Sequence, residues 1–82
     1  MKITNTTIVS IDENTIRLET DHDVLILGMG VNVIIKTDCD GLLPEYHCIV
    51  TSATTEELWG RFEEEPQMRD ISFEHIVEIE AE

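Results

Sequence analysis

Short apolar blocks, separated by turn residues, fill the first two thirds of the chain. Ile3 to Ile11 is rich in Ile, Val and Thr, the β-branched residues that suit a pleated surface. Asp12-Glu13-Asn14 supplies turn residues, and Thr15 to Thr20 resumes with Ile16 and Leu18 on one face, which predicts a β-hairpin. Asp21-His22-Asp23 forms the next turn. Val24 to Leu27 is continuously apolar, the pattern of a strand covered on both faces. After Gly28-Met29-Gly30, Val33 and Ile35 alternate against Asn32, Ile34 and Lys36 within a strand from Val31 to Thr37. Asp38-Cys39-Asp40-Gly41 closes that strand, Pro44 keeps Leu43 extended, and Tyr46 to Thr51 reads as another.

At Ser52 the period changes. Thr54 and Glu57 have the spacing of a capping box, in which each side chain satisfies a backbone donor of the other at a helix start. A helix is therefore expected over 55–65, stopped by Pro66. Leu58, Trp59 and Phe62 fall within one arc of roughly 100°, a core-facing stripe, with Glu56, Glu57, Gly60, Glu63 and Glu64 opposite. Period two returns from Ile71 to Ala81. Ile71, Phe73, His75, Val77, Ile79 and Ala81 line one side; Ser72, Glu74, Glu78, Glu80 and Glu82 line the other, with Ile76 the exception. The order predicts an α+β fold: a mainly antiparallel sheet of five to six short strands with one α-helix, about 55–65, packed on it. A small, partly open β-barrel with one helix is the alternative.

Eighty-two residues are expected to make one domain, 1–82. Ile, Val, Leu and Phe exceed the roughly 20% below which chains stay disordered. Eighteen acids against five bases leave a net charge of −13, which argues against direct binding of nucleic acid or an anionic membrane. Val24 to Leu27 is too short to span a bilayer, and Met1-Lys2 leads into polar residues without a signal-like apolar region. Two cysteines, Cys39 and Cys48, do not make a disulfide scaffold. A cytoplasmic protein with both thiols reduced is expected, with Cys48 a small buried apolar residue.

Catalytic and cofactor chemistry finds little support. Gly28-Met29-Gly30 lacks the third glycine of a dinucleotide fingerprint and precedes a strand, not the helix N-terminus that would hold an anion. Asp38-Cys39-Asp40-Gly41 with Glu45 has the front of a calcium loop but not its remaining ligands. A metal site from His22, His47, His75, Cys39 and Cys48 would need ligands from four separate elements, and His47 and Cys48 point to opposite faces of a strand. No nucleophile motif occurs, and His75 reads as a core or edge histidine. The expectation is no catalytic residue, no metal and no cofactor.

The acidic residues carry more information. Net charge is −4 over 1–41 and −9 over 42–82. On a helix ending at 65, Glu63, Glu64 and Glu65 would sit at the negative end of the macrodipole. On the last strand, Glu74, Glu78, Glu80 and Glu82 would repeat like charges along one face. Such local violations without visible compensation are where function is expected. The leading expectation is a non-enzymatic inhibitor or adaptor that occupies a basic, nucleic-acid-binding surface of a partner protein through Glu56, Glu63, Glu64, Glu65, Glu74, Glu78 and Glu80. Gly60 would let the partner approach the helix backbone, and Trp59 is expected in the core. By size and charge alone, the chain is comparable to phage-encoded anti-defence proteins that mimic DNA, anti-CRISPR and anti-restriction proteins among them. The second expectation is a homodimer or larger homo-oligomer joined through the Ile71 to Ala81 or Ile3 to Ile11 strand. The third is a small-ligand or metal binder using the histidines.

Overall fold

Almost every turn marked by the sequence is a reversal between antiparallel strands. The computed structural model describes residues 1–82, the side chains of 66–68 excepted. Eight strands are formed: β1 (Ile8–Asp12), β2 (Thr15–Glu19), β3 (Val24–Gly28), β4 (Asn32–Thr37), β5 (Glu45–Ala53), β6 (Glu57–Phe62), β7 (Glu65–Ser72) and β8 (Ile76–Ala81). A single 3₁₀ turn, Phe73–His75, precedes β8. β1-β2-β3 form a three-stranded sheet, and β7-β6-β5-β4-β8 a five-stranded one, with every pairing antiparallel. Met1 to Ile3 lies along β8: Ile3 N–H donates to Val77 O at 3.0 Å and Ile79 N–H to Met1 O at 2.9 Å. Among the described residues no helix is long and apolar enough to cross a membrane.

The expected α+β fold, and its alternative of a barrel carrying a helix, are both overturned: residues 57–62 are strand β6, and no helix packs on either sheet. Only half of the expected capping box forms, the Thr54 side chain accepting as foreseen but in a different turn, while the Glu57 side chain plays no part in it. Thr54 Oγ1 accepts from Glu57 N–H at 3.0 Å and Glu56 N–H at 3.2 Å, while Thr54 N–H donates to Glu57 O at 2.9 Å. Those bonds close the β5–β6 hairpin. Beyond it, Leu58, Gly60 and Phe62 alternate inward and Trp59 faces out, so the period is two. The stop expected at Pro66 concerns a side chain outside the described residues. The expected Ile71 to Ala81 strand is also interrupted. Buried Phe73 and Ile76 are three apart, a spacing that the 3₁₀ turn satisfies and an unbroken strand does not.

Alternation places the core between the sheets. Ile16, Leu18 and Leu27 come from the smaller sheet. Val33, Ile35, Tyr46, Cys48, Val50, Leu58, Phe62 and Ile79 meet them from the larger one. Gly28-Met29-Gly30 carries the chain from one sheet to the other. Gly30 adopts a φ of 86° and donates to Val50 O at 2.7 Å, so it is a turn glycine whose N–H is spent within the fold. Register shifts between Lys36 and Thr37, Val50 and Ser52, and Arg61 and Phe62 bend the larger sheet over this core.

Tyr46 is fully buried and anchors one end. Its ring centroid lies 5.2 Å from that of Phe62, and its hydroxyl accepts from Leu43 N–H at 3.0 Å. The hydroxyl in turn faces Glu65 Oε1 at 3.4 Å, and Arg69 donates to both Glu65 oxygens at 2.6 and 2.7 Å. Gly60, expected outward on a helix, is instead buried on β6 against β5. An added Cβ there would run into Cys48 Sγ and stand 2.6 Å from Ile49 O. Because backbone is one of the obstacles, Gly60→Ala is expected to cost about 1–3 kcal/mol through overpacking. Tyr46→Phe, which leaves the Leu43 N–H without its partner, should cost about 1 kcal/mol. Urea unfolding measures both: the midpoint falls and the slope holds.

Candidate functional site

Burying one side of the five-stranded sheet sends the other set of side chains to solvent, and cross-strand register arranges them in rows. Glu78, Lys36 and Glu45 stand side by side on β8, β4 and β5; Glu80, Ile34 and His47 form the next row. Asn32, Ile49 and Arg61 follow on β4, β5 and β6, with Glu82 beside Asn32 through its N–H to Asn32 O at 2.9 Å. Trp59 pairs with Asp70 on β7, and Glu57 lies one position along. With Glu63 and Glu64 folding over His47, the described part of this face gathers eight carboxylates around Ile34, Ile49 and Trp59. Lys36, Arg61 and His47 are its basic side chains. Lys36 Nζ is 3.8 Å from Glu78, so that carboxylate is partly balanced.

The residues expected to bind a partner are therefore divided. Glu63, Glu64, Glu78 and Glu80 share this face. Glu65 does not; it is held by Arg69 beneath the Tyr46 hydroxyl and serves the fold. Glu56 and Glu74 lie together at the opposite end of β6 from Glu63, lining a shallow hollow with Phe73. Seven residue steps of extended chain separate Glu56 from Glu63, roughly 23 Å at strand rise. Glu63 to Glu65 form and follow the β6–β7 turn, so no helix dipole opposes them. Sequence reasoning weighed Glu45 and His47 only as metal ligands, put Trp59 in the core, and did not single out Ile34 or Ile49. Alternation within β4 and β5 was the available signal, but only pairing brings these residues together.

His47 is the most constrained polar group of the face. Glu64 accepts from the His47 backbone N–H at 2.7 Å and lies 2.8 Å from its ring Nδ1; Glu63 is 3.8 Å from Nδ1 and Glu45 4.0 Å from Nε2. A shallow groove of about 380 Å³ adjoins it, lined by Asn32, Ile49, Arg61, Glu63 and Glu82. The donor atoms of His47, Glu63 and Glu64 lie within 4.8 Å of one another, a nitrogen and carboxylate set that suits a divalent cation. Both Glu64 oxygens are nonetheless engaged by His47 itself, so this carboxylate is already hydrogen-bonded within the fold. His75, on the 3₁₀ turn, is half-exposed and 3.5 Å from Glu74. Cys48 lies on the inner face, where burial, and then the Glu64 charge, push its thiol up to about 12. That makes it an inert core residue.

Comparison with protein-family models, curated proteins and solved structures returned no match.

The hydrogen bond to Glu64 raises the His47 pKa above its ordinary 6.5; partial burial opposes this, and the charges of Glu64, Glu63 and Glu45 add to it. Burial works to raise the Glu64 carboxyl, but its bonds from the His47 ring and backbone outweigh that and hold it below its ordinary 4.5. A raised histidine stabilises fully below its unfolded value and loses this as pH climbs through the folded value. A lowered carboxyl stabilises above its unfolded value and loses this as pH falls through the folded one. Both contributions coincide between 4.5 and 6.5. Glu64→Gln is expected to lower the His47 pKa in an NMR titration, and its loss of melting temperature should be greatest inside that window. Glu57 behaves oppositely: a hydrogen bond with Asp70, then burial, then the charges of Asp70 and Glu56, raise its carboxyl pKa. A raised carboxyl weakens the fold at neutral pH, so Glu57→Gln should raise the melting temperature at pH near 7 and have no such effect well below pH 4.5.

Proposed function

We propose that the chain is a non-enzymatic binding module whose solvent-facing five-stranded sheet occupies a basic, nucleic-acid-binding surface of a partner protein. The observation that carries this is the ring of eight carboxylates around Ile34, Ile49 and Trp59. Interfaces with an aromatic and aliphatic centre and a charged rim draw affinity from the centre and partner choice from the rim. Here the rim is anionic, which selects Arg- and Lys-rich surfaces and repels phosphate backbones. Strands about 4.8 Å apart, with carboxylates repeating at roughly 6.8 Å along β8, give the face the regular negative charge that such surfaces meet on nucleic acid. Inhibition is the consequence, because the partner's groove cannot hold this face and a nucleic acid together. A reducing, cytoplasmic compartment fits the two free thiols, Cys39 and Cys48.

The test is capture of partners from nuclease-treated lysate, followed by competition. Added duplex DNA should displace the captured protein, and binding should weaken steeply as salt rises. Glu63→Lys with Glu80→Lys should reduce affinity at least about tenfold, rim contacts being worth about 1 kcal/mol and reversal adding repulsion. Glu56→Lys with Glu74→Lys, at the far end, should leave affinity within about twofold. Binding that ignores both DNA and the first double reversal would remove this reading.

A further inference from the structure

The other solvent face of the molecule differs in kind. On the three-stranded sheet the outward set is Ile8, Ser10 and Asp12, then Thr15, Arg17 and Glu19, then Val24, Ile26 and Gly28. Ile8, Val24 and Ile26 are 63%, 51% and 59% exposed. Arg17 and Glu19, between them, pair at 3.3 Å and cancel. On a chain of net charge −13, this apolar and nearly neutral side is where a second copy meets least repulsion.

The strand edges point to where such a copy can join. β1 and β3 bound this sheet and β7 bounds the other, while residues 1–3 cover β8. Edge strands are ordinarily blunted by charge or proline. β7 carries Pro66, Arg69 and Asp70 in its sequence, and β1 ends on Asp12. β3, Val-Leu-Ile-Leu-Gly, has none of these. Two chains each bearing −13 repel, so a second copy is admitted only where no acids oppose one another. β3 meets that condition. Antiparallel pairing about a two-fold axis through Ile26 sets Val24 opposite the partner's Gly28 and Leu25 opposite the partner's Leu27. Asp23 then falls opposite the partner's Met29, not opposite an acid. Leu25, only partly buried in one chain, gains a neighbour that continues the core.

We propose that two copies of this chain pair through β3, joining their three-stranded sheets into one and leaving both acidic faces outward. The pairing is five residues long, below the roughly 800 Å² per partner of a standard interface, so association depends on concentration. It also strengthens with salt, because screening removes repulsion between the copies, the reverse of binding at the acidic face.

Sedimentation across a range of concentrations, at about 0.1 M and about 1 M salt, tests this on the whole chain. The weight-average mass should move toward twice that of one chain, and further at the higher salt. Ile26→Lys should hold the mass at one chain throughout with an unchanged circular-dichroism spectrum; Ser10→Lys, outward on β1, should dimerise as before. Hydrogen exchange on the unaltered protein gives an independent reading: β3 amides should gain protection with concentration and β1 amides should not. A mass of one chain under all conditions, a dimer that survives Ile26→Lys, or protection gained on β1 instead would overturn the proposal.

Discussion

Alternation on β4, on β6 and on β5 as far as Val50 governs the rest of the structure. Once Val33, Ile35, Tyr46, Cys48, Val50, Leu58 and Phe62 are committed to the core, their neighbours have nowhere to go but the opposite face. A slip of one residue in any of these pairings would bury His47 or Arg61 and expose Tyr46 or Phe62, so register is strongly fixed. Gly60 tightens it further, since its lack of a side chain lets Cys48 and the Ile49 carbonyl approach β6. The acidic face is therefore built to the precision of the core, although none of its members needs to be buried.

Alternation explains why the acids point outward, but not why they gather on one sheet. The outward set of β1, β2 and β3 has the same geometric freedom and carries Ile8, Val24 and Ile26 instead. Solubility alone would be served as well by carboxylates on both sheets. The uneven distribution is thus a property of the sequence over and above its fold, and it is this unevenness that supports assigning different partners to the two faces.

Turns and the earlier strands were legible because their signals are local. Turn residues at 12–14, 21–23 and 38–41 interrupt β-branched or alternating runs, and the strands between them stand close to where the pattern puts them. The helix failed for an equally local reason. Thr54 satisfies the Glu57 N–H as a helix cap would, but the same bonds suit a hairpin, and six residues are too few to separate a period of 3.6 from one of two. Gly60, unfavourable in a helix by about 1 kcal/mol, was the contrary sign. With the helix goes the macrodipole argument that singled out Glu63 to Glu65. Glu63 and Glu64 fold over His47, while Glu65 is consumed by Arg69. Rows such as Glu80, Ile34 and His47 join positions far apart in the chain, and no spacing in the sequence encodes them.

His47 shows how so acidic a face is kept compatible with folding. An imidazole whose pKa is raised by Glu64, Glu63 and Glu45 supplies counter-charge among these carboxylates whenever it is protonated, and it does so without adding a fixed cation that a basic partner would have to overcome. As pH rises through the His47 pKa the fold loses that support while the face becomes more negative. Stability of the free chain and attraction to a cationic surface thus move in opposite directions over the same interval. If the proposed basic partner set an Arg or Lys beside Glu63 and Glu64, that cation would take over the role of the imidazolium and its binding would restore the stability that deprotonation removes.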